Sequence, residues 1–408
     1  MRFSFILAVV ALTSLQASAS EVSDFWALML ERSKQFPEYA SLQVAQSAVE
    51  DFVNVEKTKT SPRVEGILSR VDGDSSTSST SDVIQGGLSL AVPLYEGHKP
   101  SLRESIATMD GQITYLEAIE RFESILVDLA ESYIRLWSVS ELRDVHLAAS
   151  KKVETYRTLL SEAETYGEVT LLESSRVLEK LTDIESKLIL GETASAYSKY
   201  YWTGYDQTLA DTPVLIGPPI AQALPTAAQE LKAKEYAKLR EQAQLIANEK
   251  SLSVDLTASS VYRDYSGSNS DGMNNTWGIQ LKYPLFDGGA IDSRVVREVR
   301  RANIKLEELA AMKAAQQREI DGVLSWIDAK QRAIKLTEQQ CANRKNIEEQ
   351  VAARFELGRG SVADVLDASL AYFECQADRV ESLTELYSRY VRLSRTNGLL
   401  NQFADKAY

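Results

Sequence analysis

The sequence predicts a mainly α-helical chain with a small β-barrel contribution: four membrane strands and long coiled-coil-like helices, arranged in two internal repeats. Two junctions between a strand and a very long helix support this fold class. Residues 92–97 read Val-Pro-Leu-Tyr-Glu-Gly, and residues 283–289 read Tyr-Pro-Leu-Phe-Asp-Gly-Gly. About ten residues of alternating apolar and polar character precede each junction, and about seventy residues of helical pattern follow it. Pro93 and Pro284 are 191 residues apart, as are Gly167 and Gly358, which indicates an internal duplication.

The predicted domain organisation follows this duplication. Residues 1–19 have the features of a secretory signal peptide, because Arg2 precedes an apolar run that ends in the small residues Ala17-Ser18-Ala19. Each repeat is expected to contain a helix, a β-hairpin, a long helix and a short helix, in that order. The predicted bounds are 20–204 for the first repeat (hairpin 62–95, long helix 96–165, short helix 169–201), 205–224 for a linker, 225–398 for the second repeat (hairpin 252–286, long helix 287–356, short helix 361–395) and 399–408 for a C-terminal tail.

The four hairpin strands are the segments expected to enter a membrane, since no later run of about eighteen apolar residues follows the signal peptide. Strands of about ten residues suit a tilted crossing of the bilayer, but closed membrane barrels need at least about eight strands. One chain supplies only four strands, and an open sheet edge in lipid leaves backbone groups unsatisfied. We therefore expect copies of the chain to pool their strands. A soluble coiled-coil rod would explain the helices but not the hairpins.

Composition argues against several functional classes. The chain has 45 Lys and Arg against 58 Asp and Glu, a net charge of −13, which disfavours nucleic acid and anionic lipid surfaces as partners. The two histidines, His98 and His146, lie far from either cysteine, and no phosphate-binding loop or nucleophile motif is present. The sequence predicts no enzyme activity, no cofactor and no metal site.

Cys341 and Cys375 are predicted to form a disulfide bond. Their midpoint is Gly358, in the one break between two helical segments. In an antiparallel helix pair, residues equidistant from the turn stand at the same height, and both cysteines lie on apolar stripes that should face the partner helix. The alternative is a pair of buried thiols, which are common in helical cores.

A second motif completes a resemblance to a known family. Arg354-Phe355-Glu356-Leu357-Gly358 runs into Asp364-Val365-Leu366-Asp367-Ala368. With the two junctions and the duplication, this motif makes the chain resemble the TolC-like family of outer-membrane efflux and type I secretion channels. The resemblance implies a homotrimer with a twelve-stranded barrel in the outer membrane and a long α-helical tunnel in the periplasm.

The same resemblance implies partners and a function. The partners are outer-membrane lipids, a periplasmic adaptor protein and an inner-membrane pump of the ABC or RND type. The trimer would form a duct for efflux of small molecules or for type I secretion of proteins. The alternative is a non-conducting structural or adhesive coiled-coil trimer anchored in the outer membrane.

The resemblance also points to an aperture at the end of the tunnel. Asp364 and Asp367 share a helix face, since they are three residues apart, and match the paired acidic residues that line the periplasmic aperture. Six carboxylates from three copies would favour cations. Asp364 has a second interpretation, as a helix cap with Ser361. Phe355 stands where a tyrosine hydroxyl often helps to hold the aperture shut, and Arg359 is displaced by one residue from the usual basic position.

The strand-to-helix hinges are assigned to five residues. Proline cannot donate a hydrogen bond to a strand ladder, so Pro93 and Pro284 are expected to end the strand pairing. Gly97, Gly288 and Gly289 are expected to permit the sharp turn into each helix.

Overall fold

The computed structural model describes residues 25–71, 83–165, 171–202, 223–265 and 272–401. The predicted signal peptide, Gly167, and most of the linker and of the tail lie outside these ranges. The elements in chain order are α1 (residues 25–33), α2 (Pro37–Lys59), β1 (Arg63–Val71), β2 (Val83–Tyr95), α3 (Lys99–Thr165), α4 (Leu171–Tyr201), α5 (Ala227–Ala247), a 3-10 turn (Asn248–Lys250), β3 (Ser253–Tyr265), β4 (Gly272–Lys282), α6 (Ala290–Glu356) and α7 (Val362–Thr396).

The two halves of the chain have the same order of elements. Helices α3 and α6 each contain 67 residues, and α6 begins 191 residues after α3. The predicted fold class, mainly helical with one small sheet, is confirmed. Among the helices that the structure describes, none is long and apolar enough to cross a membrane.

The structure corrects the predicted role of Pro93. Pro93 does not end β2: it lies opposite Asp255 in the ladder, and the strand continues to Tyr95 past a register shift. Proline is tolerated there because the ladder is already irregular at this position. At the second junction β4 ends at Lys282, four residues before the predicted end of the hairpin at 286.

Both long helices also begin three residues later than predicted, at Lys99 and Ala290. The residues before them form turns in which Gly97, Gly288 and Gly289 have φ of 64°, 65° and 81°. Residues with a Cβ atom rarely adopt this left-handed backbone conformation, so glycine is needed at these turns.

The four strands form one antiparallel sheet in the order β1-β2-β3-β4. The register aligns Val64, Leu90, Ala258 and Trp277 in one row across the sheet. Because side chains alternate between faces, this row belongs to a largely apolar face, on which Leu68 is 85% exposed and Trp277 is 82% exposed.

The opposite face of the sheet is mainly polar. Ser259 and Thr276 hydrogen-bond across β3 and β4 at 2.6 Å, and the Gln85 amide donates to the Ser69 hydroxyl at 2.7 Å. The sheet therefore separates an exposed apolar surface from a polar one.

The chain divides into two compact units. The helical unit comprises Met1–Tyr39, Glu120–Thr226 and Ala314–Tyr408. Its core contains buried Trp26, Phe122 and Leu366, and the Trp202 indole donates a hydrogen bond to Ser132 at 2.8 Å.

The sheet unit comprises Ala40–Ile119 and Ala227–Lys313. It contains all four strands, most of α2, α5 and the N-terminal parts of α3 and α6. Helices α2 and α3 approach closely at Gly111, where an added Cβ would lie 2.8 Å from the Cα of Val49.

We expect Gly111→Ala to lower stability by about 1–3 kcal/mol, because the new methyl group overlaps the backbone of α2. The matched control is Gly322→Ala on α6, where an added Cβ meets no atom within 4 Å. There the substitution should raise stability by about 0.5–1 kcal/mol through helix propensity. Thermal unfolding of the purified protein measures both changes. Equal midpoints for the two variants would contradict the close approach.

Candidate functional site

The candidate aperture is the turn between α6 and α7, with the residues on either side of it. Helix α6 ends in two overlapping hydrogen bonds: the Arg359 N–H donates to the Arg354 carbonyl at 2.9 Å, and the Gly358 N–H to the Phe355 carbonyl at 2.8 Å. This pattern is a Schellman motif, which requires a left-handed residue, and Gly358 has φ of 72°. The turn is thus a defined helix stop.

Asp364 is part of a capping box at the start of α7. The Asp364 N–H donates to the Ser361 hydroxyl oxygen at 3.1 Å, and the Asp364 carboxylate accepts from the Ser361 N–H at 3.3 Å. The cap interpretation of Asp364 therefore describes its contacts in this protomer. Its side chain remains exposed, so the same carboxylate also carries negative charge at the surface of the turn.

Asp367 forms an ion pair with Lys180 of α4. The Asp367 side chain is 65% exposed and that of Lys180 is 33% exposed. A surface ion pair of this kind contributes only about 0–1 kcal/mol to stability, but it compensates the charge of one of the two candidate aperture carboxylates. Sequence reasoning missed Lys180, because nothing local links two residues that are 187 positions apart.

Phe355 and Arg359 take different positions. Phe355 is half-buried and packs against an apolar cluster in the helical unit. This cluster is formed by Ala149, Val153, Tyr156, Val177, Leu181, Ile184, Val365 and Leu366. Arg359 is exposed at the turn, where its backbone N–H completes the helix stop. The Phe355 ring therefore fixes the end of α6 through apolar contact, and it has no hydroxyl with which to form a gating hydrogen bond.

Cys341 of α6 and Cys375 of α7 are joined by a disulfide bond, with Cα atoms 5.5 Å apart. Both residues are 2% exposed. Helices α6 and α7 are also tied by hydrogen bonds from Arg344 to the Ala371 carbonyl at 2.7 Å and from Arg379 to Glu338 at 3.2 Å. The two helices thus form a cross-linked pair above the turn.

Glu348 connects this pair to α3. It receives an ion pair from Lys152 at 3.1 Å and a hydrogen bond from Ser369 at 2.9 Å. The candidate aperture is therefore held by one covalent bond within the α6–α7 pair, and by apolar contacts and ion pairs to α3 and α4.

The second hinge contains a cap that the sequence did not reveal. The Asp287 carboxylate accepts from the Ile291 N–H at 2.8 Å and the Gly289 N–H at 3.0 Å, which satisfies donors at the start of α6. These hydrogen bonds hold the pKa of Asp287 below its ordinary value. The cap is therefore fully present above the ordinary aspartate range and is lost as the pH falls through the lowered pKa.

Within the described ranges, no group of three or more His, Cys, Asp or Glu residues could hold a metal ion.

Residues 224–399 match the family described as Outer membrane efflux protein. No curated protein sequence matches the chain. Among solved structures, the outer membrane protein VceC from Vibrio cholerae has a TM-score of 0.73 at 17% identity, over 91% of this chain and 96% of that chain.

Two outer membrane channels have similar folds. The Campylobacter jejuni CmeC channel gives a TM-score of 0.73 at 11% identity, over 94% of this chain and 89% of that chain. The Neisseria gonorrhoeae MtrE channel in its open state gives a TM-score of 0.64 at 14% identity, over 93% of this chain and 89% of that chain. At these identities the likeness concerns the fold, which extends over both repeats.

We expect replacement of Cys341 and Cys375 by alanine to lower the free energy of unfolding of the helical unit by about 3–4 kcal/mol, because the bridge closes a long loop in the unfolded chain. Thermal unfolding with and without reductant measures the change. Reductant should lower the unfolding temperature of the parent protein and leave that of the double variant unchanged. Peptide mapping that finds both thiols free in the exported protein would contradict the bond.

The resemblance to TolC-like channels is confirmed by a domain match in the second half and a fold match over nine-tenths of the chain. The part of the chain that matches the outer membrane efflux protein family is residues 224–399, which comprise the second repeat.

Proposed function

We propose that the chain is the outer-membrane channel of a tripartite export system, and that three copies form a continuous duct across the outer membrane and the periplasm. The observation that carries this proposal is the four-stranded sheet, with one apolar exposed face and one polar face. The family description and the outer membrane channels that share the fold support it.

The dimensions of the sheet suit a bilayer. Strand β4 has 11 residues and β3 has 13. A strand of eleven residues rises about 36 Å, and a tilt of about 40° reduces its height to about 28 Å. The apolar band of outer-membrane barrels is about 25 Å tall. The apolar face would contact lipid, and the polar face would line an aqueous lumen.

The open edges of the sheet require further copies. In the described sheet, β1 and β4 each pair on one side only. Each backbone N–H or C=O group left without a hydrogen bond in hydrocarbon costs several kcal/mol. This cost excludes open sheets from membranes. Pairing of β4 in one copy with β1 in the next removes every edge once the ring closes, and three copies give about twelve strands, within the known range for barrels.

The duct would work with partners on the periplasmic side. We assign these roles to an adaptor protein and an inner-membrane pump of the ABC or RND type. Crosslinking in cells followed by identification of the captured pump decides between efflux of small molecules and type I secretion. The candidate aperture, with Asp364 and Asp367, would set the ion preference of the duct.

Purified protein in planar bilayers should give stable single channels of large conductance, because the ring of strands encloses a wide lumen. Crosslinking in detergent should give a trimer. Protein that inserts as a trimer but gives no conductance would support a non-conducting anchor and would overturn the channel.

The aperture carboxylates can be tested by ion preference. We expect Asp364→Asn/Asp367→Asn to reduce the preference for cations and Lys180→Gln to increase it, because the latter change leaves Asp367 uncompensated. Reversal potentials in a salt gradient measure both effects. Ser361→Ala is the matched control: it disrupts the capping box without changing charge, so it should lower stability by about 1 kcal/mol and leave ion preference unchanged. Unchanged preference in both charge variants would place the aperture elsewhere.

A further inference from the structure

The start of α6 carries an arginine-rich segment that the duct itself does not require. Residues 294–301 read Arg-Val-Val-Arg-Glu-Val-Arg-Arg. The side chains of Arg297 and Arg301 are each 59% exposed, and Arg300 is also exposed. Four arginines and one glutamate give these eight residues a net charge of +3 on an acidic chain, and Arg294 pairs with Glu249 outside the segment.

This segment lies at the edge of the sheet where the strands join helices. The register places Ser253, the first residue of β3, opposite Lys282, the last residue of β4. Lys250, just before β3, pairs with Asp292 at 2.6 Å, so the start of α6 adjoins this edge. Side chains on a helix tilt toward its N-terminus, which directs the arginines of α6 back toward the sheet.

The net charge of this edge is opposite in sign to that of the whole chain. Four segments connect the strands to the helices: residues 55–63, 95–104, 248–254 and 282–301. Together they contain eleven Lys and Arg against seven Asp and Glu, a net charge of +4 in a chain whose total is −13. The overall charge predicted poor affinity for anionic lipid surfaces, but the charge at this edge is the opposite.

A buried carboxylate orders part of the segment. Glu298 is 4% exposed and accepts hydrogen bonds from Arg297 at 2.9 Å and from Arg301 at 3.2 Å. Burial favours its neutral form, but the two guanidinium groups outweigh burial and hold the pKa of Glu298 below its ordinary value. The three side chains together retain one positive charge, and each guanidinium has further N–H donors to offer.

Exposed apolar side chains precede the arginines in the chain. Leu285 is 91% exposed and Phe286 is 92% exposed, in the segment between β4 and α6. Exposed apolar side chains followed by basic residues on a helix are typical of segments that lie at a membrane surface, where the apolar groups enter the acyl region and the basic groups contact headgroups.

We propose that this edge binds anionic phospholipid headgroups, with Arg297, Arg300 and Arg301 contacting the phosphates and Leu285 and Phe286 held in the acyl region. The lipid would belong to the periplasm-facing leaflet of the outer membrane, and the proposal rests on the proposed membrane placement of the sheet. Each exposed arginine near a membrane surface favours anionic lipid by about fivefold at most, and salt reduces this factor.

The test uses the full-length protein reconstituted in phosphatidylcholine vesicles with trace spin-labelled phosphatidylglycerol or phosphatidylcholine. Electron paramagnetic resonance measures the motionally restricted fraction of each lipid at the protein surface. We expect phosphatidylglycerol to be enriched about three- to fivefold over phosphatidylcholine at low salt, and the enrichment to fall at about 0.5 M salt.

Three variants separate the segment from general effects. R297Q/E298Q/R300Q/R301Q removes three arginines and also removes the carboxylate that would otherwise be buried without a partner. Arg300→Gln leaves the Glu298 hydrogen bonds intact and should halve the enrichment even if the larger variant fails to assemble. The control R332Q/K335Q/K345Q removes three exposed positive charges further along α6 and should leave the enrichment unchanged.

Each outcome decides between the proposals. Loss of enrichment in the arginine variants, with the control unchanged, supports the headgroup site. Restricted lipid without enrichment in the parent protein, or enrichment unaffected by Arg300→Gln, overturns the site and leaves the channel proposal intact. Absence of any restricted lipid overturns the membrane placement itself, and the headgroup site with it.

Discussion

The antiparallel pairing of β2 with β3 is the contact on which the sheet unit depends. It joins the hairpin of the first repeat to that of the second along most of both strands. Without this ladder each half would have an isolated two-stranded hairpin, which is at best marginally stable in water. With it, the two apolar strand faces become one continuous surface. The duplicated chain therefore acts as one structural unit in the sheet.

The outer edges of the same sheet set a second constraint. An exposed strand edge is a template for pairing with another chain, and natural proteins usually protect such edges with charge, bulges or covering segments. Here the edge strands present alternating apolar side chains, such as Leu68 on β1 and Trp277 on β4. This combination is unfavourable for a water-soluble sheet. It becomes favourable when the edges pair with further copies and the apolar face meets lipid.

The sequence made the long helices predictable because their signals are local and repeated. The end of α6 at Glu356 falls where the helical pattern stops. The predicted starts of α3 and α6 are three residues too early, since turn residues such as Asp287 also suit a helix. The predicted role of Pro93 is wrong because a proline that ends a ladder and a proline at a ladder irregularity look the same in sequence. Such ambiguities are resolved only by the neighbouring strand.

The candidate aperture was only partly predictable. The spacing of Asp364 and Asp367 places both on one face of α7, and Ser361 three residues before Asp364 indicates a cap. The partner of Asp367 is Lys180, on a helix from the other half of the chain. The Glu298 cluster was missed for a related reason: its burial depends on packing, although its arginines are adjacent in sequence. Tertiary pairings of charged residues leave little trace in the sequence of a chain that is rich in both signs.

The disulfide bond has a mechanical consequence for the turn. Cys341 and Cys375 each lie 17 residues from Gly358. That arm of helix is about 25 Å long, at about 1.5 Å per residue. Because the bridge opposes sliding of α6 along α7, rotation of the pair about the bridge moves the turn as the end of a lever. A rotation of about 5° at the bridge then displaces the tip by about 2 Å, roughly the difference between a closed and a broken ion pair.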